Sequence, residues 1–406
     1  MENKKKKQKK WIRFRHKLVT ALLRGVIGTY SRLKYGITVE KFKEQGNRQY
    51  LVVMNHQTAF DQFFLGMAFD GPVYYIASED LFSNGFVSNL IRFLVAPIPI
   101  KKQTTDINAV MNTIRVAREG GTIAMAPEGN RTYSGKTEYM NPAVGALAKK
   151  LKLPVAIYRI EGGYGVQPRW SDVIRKGKMR GYVSKVIEPE ELAAMTNDQV
   201  YERIQQELYV NEAVADASFY HKKAAEYLDR AMYVCPDCGL STFYSKDDII
   251  ACTKCGKQIR YMPTKELKGV DCDFPFPFVA QWYDYQCDYI NNLDLTQFDE
   301  TPAYEDTVRF SEVIVYKHKR LLEKSAAVKL YGNRITVDGQ DIHMVFDFSK
   351  THAVTVLGKN KVNIYFDNHV YQLKGDKHFN ALRYVNFFYR WTNLNTGDKN
   401  GKFLGL

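Results

Sequence analysis

The stretch VVMNHQTAFDQFF, Val52–Phe64, decides how the first half of the chain is read. It opens on apolar, strand-like residues, breaks at Asn55 and His56, and resumes as an apolar run after Asp61. QYLVVM (Gln49–Met54) reads as a buried strand and DQFFLGMAF as the helix after it, with a four-residue turn between His56 and Asp61. A histidine ending one element and a carboxylate starting the next can fold back on each other. The pair has a chemical use. Imidazole removes a hydroxyl proton near neutral pH, and a carboxylate on its other nitrogen fixes the tautomer and steadies the cation. It also has a plain use, because Thr58-x-x-Asp61 fits a helix capping box. No serine or cysteine stands beside the pair as an obvious nucleophile, which favours direct attack by a substrate hydroxyl over a covalent acyl-enzyme.

Outward from this stretch, PVYYIA (Pro72–Ala77), APIPI, TIAMA (Thr122–Ala126) and LPVAIYRI read as further strands. Between them DLFSNGFVSNLIRFL, DINAVMNTIRVAREG (closed by Gly120-Gly121) and NPAVGALAKKLK read as helices. The alternation predicts an α/β fold over residues 37–214, with ligands beyond the strand ends. There AMAPEGNRTYSG sets Glu128, Gly129, Asn130 and Arg131 behind a strand. Glycine permits a tight turn near a ligand, and arginine offers a planar fork of donors for phosphate or carboxylate. Glu128 either orders that arginine or accepts a substrate hydroxyl. A strand-end turn with a local Glu–Arg ion pair would use the same residues.

NHQTAFD followed by PEGNRT, in this order and spacing, closely resembles the glycerolipid acyltransferases of the 1-acyl-sn-glycerol-3-phosphate acyltransferase type. APIPIKK resembles that family's segment ending in a phosphate-binding cation, and LPVAIYRI its final Pro-Val strand; the resemblance covers roughly residues 17–214. It implies that His56 is the general base, Asp61 its partner, and Glu128, Gly129 and Arg131 the acceptor-binding turn. It also implies Lys102 as the phosphate-binding cation, where the family commonly has arginine; Lys101 is equally placed. Asn130 replaces a usual threonine and Ala126 a usual phenylalanine. The implied reaction moves an acyl group from an acyl-CoA or acyl-carrier-protein thioester to a lysophospholipid hydroxyl. The implied acceptor is 1-acyl-sn-glycerol-3-phosphate, in phospholipid biosynthesis, with acyl carrier protein a candidate partner.

A net charge of +14 asks for a polyanionic neighbour: nucleic acid, an anionic membrane surface or a phosphorylated substrate. The charge is densest in ENKKKKQKKWIRFRHK, which runs into Leu18, Leu22, Leu23, Val26 and Ile27 near helical spacing. Arg24 and Arg32 interrupt the run, so it is a poor spanning helix, and no signal-peptide cleavage site follows. A basic amphipathic helix over residues 1–36 suits the interface plane of an anionic leaflet, which predicts a peripheral protein on the cytoplasmic face of the membrane. A solvated tail leading into a core helix is the alternative.

From Asp198 to Val234 the chain reads as helix, with residues 215–232 as a linker helix. CPDCG and CTKCG then supply Cys235, Cys238, Cys252 and Cys255. Without a secretory signal these point to a metal, and they predict a small β zinc ribbon over residues 233–262 holding structural zinc. Cys272 and Cys287, among aromatics, read as buried unligated thiols. Residues 263–304 form a helical and linker segment. Residues 305–406 carry short alternating strands divided by turns such as Asp338-Gly339 and Asp367-Asn368, then the helix HFNALRYVNFFYRWTN. This order resembles a pleckstrin-homology-like (PH-like) β-barrel plus helix. The rival reading is a catalytically inactive zinc-ribbon and PH-like platform that binds nucleic acid or protein at a membrane. Retention of His56, Asp61, Glu128 and Arg131 favours the enzyme, and nucleic acid is not expected as a partner.

Overall fold

The computed structural model describes residues 10–101 and 106–396. The first half is a layered α/β unit. Its elements are α1 (Phe14–Tyr35), β1 (Ile37–Val39), β2 (Leu51–Met54), α2 (Asp61–Ala68), β3 (Val73–Ser78), α3 (Phe86–Val95), β4 (Ile98–Ile100), α4 (Ile107–Arg118) and β5 (Thr122–Met125). They continue with α5 (Ala143–Leu151), β6 (Val155–Glu161), the single turn α6 (Gly163–Val166), β7 (Met179–Ile187), α7 (Pro189–Ala194) and α8 (Asn197–Leu208). The seven strands lie in the order β1-β7-β6-β2-β5-β3-β4. From β6 to β4 they are parallel, and β7 runs antiparallel to β6.

All four residues of β2 are buried, as expected for a central strand covered on both faces. The period of two sorts them. Leu51 and Val53 pack with Val116, Val144, Ala148 and Ile204 from α4, α5 and α8. Val52 and Met54 pack with Tyr35, Phe64 and Leu65 from α1 and α2. DLFSNGFVSNLIRFL, expected as one helix, is a 3-10 turn at Glu79–Phe82 and then α3. Gly85, at φ 57°, breaks the two apart.

The helix expected from Asp198 to Val234 ends at Leu208. Residues 209–233 instead follow an irregular path with one 3-10 turn at Leu228–Arg230. Phe219, Ala224, Ala225, Leu228, Ala231 and Met232 are all buried along it, so tertiary burial on several sides overrides helix propensity. The cysteine-bearing module follows: β8 (Val234–Cys235) pairs with β9 (Gly239–Leu240). Next to it β10 (Phe243–Lys246), β11 (Ile249–Cys252), β12 (Gln258–Tyr261) and β13 (Leu267–Gly269) form an antiparallel meander, and α9 (Val279–Asn291) packs behind.

The last sheet contains β14 (Tyr304–Ile314), β15 (His318–Leu330), β16 (Arg334–Asp338), β17 (His343–Asp347), β18 (Thr351–Leu357), β19 (Lys361–Phe366) and β20 (His369–Lys374). Its order, β17-β16-β15-β14-β20-β19-β18, is antiparallel throughout. Register shifts around Phe310 bend β14, which serves both halves and curls the sheet into a half-barrel. α10 (Leu382–Thr396) fills the hollow with Leu382, Val385, Phe387 and Phe388. One hydrophobic core runs from Ala224 through Trp282 to Phe388, so the cysteine module, α9 and the curled sheet share it. No helix among the described residues is long and apolar enough to cross a membrane.

Candidate active site

The site begins where β2 ends. Asn55 is buried and pairs with the backbone of Ile160 in both directions, donating to its carbonyl and accepting from its amide at 2.8 Å each. This pins the strand end to β6 and sets His56 at the carboxyl ends of the parallel strands, where sheets of this kind leave a crevice. Asp61 opens α2, where a carboxylate suits the helix dipole. Its buried oxygens accept from the amides of Gln57 (2.6 Å) and Thr58 (3.0 Å), from Thr58 Oγ1 (2.6 Å) and from His56 Nδ1 (2.8 Å). A carboxylate only accepts, so Nδ1 carries the hydrogen and Nε2 presents its lone pair. His56 keeps 24% of its side chain exposed while Asp61 keeps none, so the pair is held from its carboxylate side.

The turn after β5 closes on the same place. Gly129 sits at φ 68° with open space where a Cβ would stand, so glycine is needed here for its backbone angle and not for room. Glu128 does not pair with Arg131. Its buried carboxyl accepts from the His56 amide and the Glu138 amide, both at 2.9 Å, and so clamps the two loops together. Burial is the largest influence and pushes this carboxyl up to about 8 against those two hydrogen bonds. The Thr132 amide donates to His56 O at 3.1 Å, a second tie between the loops.

Arg131 lies near Asp61 and Tyr35, with its Nη1 buried and without a hydrogen-bond partner among the described residues. Burial pulls it down to about 10, and neighbouring Arg169 adds to that. An unsatisfied buried guanidinium nitrogen is costly unless a ligand completes it. Lys102 lies outside the described residues; Lys101 is exposed, and its amide donates to Asp106.

The sequence offered no sign of Arg169, which holds the Arg131 turn from behind. Nη1 donates to Arg131 O (3.0 Å), Nη2 to Asn130 Oδ1 (3.2 Å) and Val356 O (3.4 Å), and Nε to Gly358 O (3.3 Å). The guanidinium also stacks over the Tyr133 ring, 4.3 Å from its centre. Its position in YGVQPRW carries no periodicity that would single it out.

Away from the crevice, Cys235, Cys238, Cys252 and Cys255 bring their sulfurs within 4.8 Å of one another. Cys235 and Cys255 are 3.8 Å apart, and zinc–thiolate bonds of ~2.3 Å give a tetrahedral edge of ~3.8 Å. Gly239 and Gly256, each just past a Cys-x-x-Cys pair, take the left-handed angles that such knuckles need (φ 69° and 75°). The donor set therefore fits a closed four-thiolate metal site. Cys272 is exposed rather than buried: it follows the left-handed turn at Asp271, while Phe274 and Phe276 take the interior contacts toward α9. Cys287 is partly buried on α9.

Residues 36–160 match the family model described as Acyltransferase. The match runs from β1 into β6 and contains His56, Asp61, Glu128, Gly129 and Arg131. Among solved structures, the chain is similar to the 1-acyl-sn-glycerophosphate (LPA) acyltransferase PlsC from Thermotoga maritima. That likeness is at 22% identity and a TM-score of 0.41, over 47% of this chain and 77% of that one. No curated protein matches the chain.

Proposed function

We propose that the protein is a lysophospholipid O-acyltransferase that moves an acyl group from a coenzyme A or acyl-carrier-protein thioester to the free hydroxyl of 1-acyl-sn-glycerol-3-phosphate. The single observation that carries this reading is the His56–Asp61 pair at 2.8 Å, with Nε2 as the accepting nitrogen and Arg131 unsatisfied beside it. His56 Nε2 takes the proton of the acceptor hydroxyl as its oxygen attacks the thioester carbonyl. The tetrahedral intermediate collapses, the C–S bond breaks, and the leaving thiolate recovers the proton from the imidazolium. Asp61 steadies that imidazolium without being protonated. Arg131 anchors the acceptor's phosphate, which Lys102 joins, while Glu128 and Gly129 shape the turn. The test is acyl transfer from labelled acyl-CoA to 1-acyl-sn-glycerol-3-phosphate by parent and His56→Ala protein of equal melting temperature. Undiminished turnover by the variant would remove His56 as the base.

Two further parts belong to the reading. The four cysteines hold a structural zinc that braces the module against the curled, PH-like sheet. The chain docks peripherally on an anionic membrane surface at its cytoplasmic face. Supporting this, Phe14, Leu18, Leu22, Val26, Tyr30 and Leu33 form one exposed apolar stripe along α1. Phe86, Val87, Leu90 and Phe93 of α3 are exposed as well, and Arg15 of α1 stacks on Phe93 at 4.0 Å, so the two surfaces adjoin.

A further inference from the structure

The curled sheet lies outside the family-matched residues, yet it is seated on the loops that build the crevice. At the loop after β3, Lys319 Nζ pairs with Asp80 (2.8 Å), Tyr365 donates its hydroxyl to Glu79, and the Gly85 amide donates to Lys317 O (3.2 Å). At the turn after β5, Arg169 grips Arg131 O and Asn130 with one side of its fork and Val356 O and Gly358 O with the other. β3 and β5 are neighbours in the sheet, so the β18–β19 hairpin spans the carboxyl ends where open α/β sheets bind ligands.

The tip of that hairpin carries Lys359. Its ammonium donates to Asp172 at 2.7 Å, which leaves two of three donors. Asp172 is already shared with Arg230 at 2.8 Å, and Asp61 is committed to His56. Burial lowers the Lys359 pKa, and repulsion from Arg131 and Arg230 lowers it further against the pull of Asp172. Arg169 thus ties the Arg131 turn to the backbone beside Lys359, and the carboxylates beside the two cations, Asp172 and Asp61, are each shared with a second group. Bringing like charges together in a low-dielectric place is unfavourable until an anion arrives.

We propose that the β18–β19 hairpin completes the acceptor pocket and that Lys359 is a specificity-determining residue, binding the acceptor's phosphate monoester together with Arg131. Arg169 is the positioning residue that sets the two cations side by side. This rests on the acyl-transfer reading for its substrate. A phosphate monoester carries close to two negative charges, which two cations match and a diester's single charge does not.

The experiment uses the full chain, with 1-acyl-sn-glycerol-3-phosphate and an acyl-CoA as substrates. Lys359→Met should raise the KM for the acceptor ~tenfold, about 1.4 kcal/mol, while kcat and the KM for acyl-CoA stay within ~twofold. Lys359→Arg should restore acceptor KM to within ~threefold of the parent, because it keeps the charge. An unchanged acceptor KM in Lys359→Met overturns the proposal. So does a joint loss of kcat, both KM values and melting temperature that Lys359→Arg fails to rescue. Calorimetric titration with glycerol 3-phosphate reads the site without turnover. If the parent binds it and both Lys359→Met and Arg131→Met lose it, while no thioester supports transfer, the enzyme reading falls and the two-cation site stands. Transfer with an unaltered acceptor KM in Lys359→Met keeps the enzyme and removes the two-cation site, and a parent that neither binds nor transfers ends both.

Discussion

Two histidine–aspartate pairs in this protein have nearly the same geometry and different surroundings. His56 meets Asp61 at 2.8 Å, and His378 meets Asp229 at 2.7 Å; both aspartates are buried. Around the first, every other donor to the carboxylate comes from the turn that carries the histidine, and the ring stands at the ends of parallel strands. Around the second, Ser245 donates to the carboxylate from β10, and the imidazole packs against Tyr227 and Tyr244. His378 thereby ties the cysteine module to the segment before α10. The distance between imidazole and carboxylate does not distinguish a base from a rivet. What the free nitrogen faces, and what charge waits beside it, does.

The hardest blow to this contrast is substitution of each histidine in turn. His56→Ala should cost transfer on the order of 10²–10⁴-fold with little change in melting temperature. Comparable transfer losses from His56→Ala and His378→Ala would erase the distinction. Metal removal comes next. One zinc per chain is expected by elemental analysis, and Cys238→Ser or chelation should release it and lower stability by several kcal/mol, on the order expected for closed thiolate sites. Tyr244 and Ser245 stand on the strand next to the cysteines, so that loss should loosen the second pair before the first. A chain that stays metal-free and melts unchanged would remove the zinc.

His378→Ala is the third step. It leaves Asp229 buried with Ser245 as its remaining side-chain donor, and denaturant unfolding should show a loss of ~1–3 kcal/mol while transfer is retained. The smallest effect, read per pH unit, concerns the clamp beside the first pair. Burial raises Glu128 to about 8, so the folded chain holds this proton more tightly than the unfolded chain. Its contribution is complete below the ordinary carboxylate range and erodes as pH climbs through about 8. Stability measured across that window should fall by at most ~1.4 kcal/mol per pH unit from this group, and Glu128→Gln should flatten the slope. An identical slope in the variant would assign the dependence elsewhere.

The features legible in the sequence were those fixed by neighbours along the chain. Val52–Met54 announced a buried strand, the His56-to-Asp61 spacing announced a turn, and the doubled Cys-x-x-Cys announced a cluster, because each is a local geometric requirement. Glu128 was visible, but its use was not: an ion pair with Arg131 and a clamp on the His56 amide look alike until the loops meet. Residues 209–233 have the composition of a helix, yet Phe219 and Leu228 are buried along an irregular path, and that is decided by partners far away in sequence. Arg169 and Lys359 stayed hidden for the same reason, since their partners lie 187 or more residues off for the contacts with Val356, Gly358 and Asp172.

That grip by Arg169 has a bearing on how the protein is made. Translation delivers residues in order, so the turn at Arg131 waits for Val356 and Gly358, more than two hundred positions later, before its last backbone anchors exist. A ribosome stalled short of the β18–β19 hairpin would display the strand layer and its imidazole, with Arg169 holding Arg131 O and Asn130 but not yet its two acceptors on the hairpin.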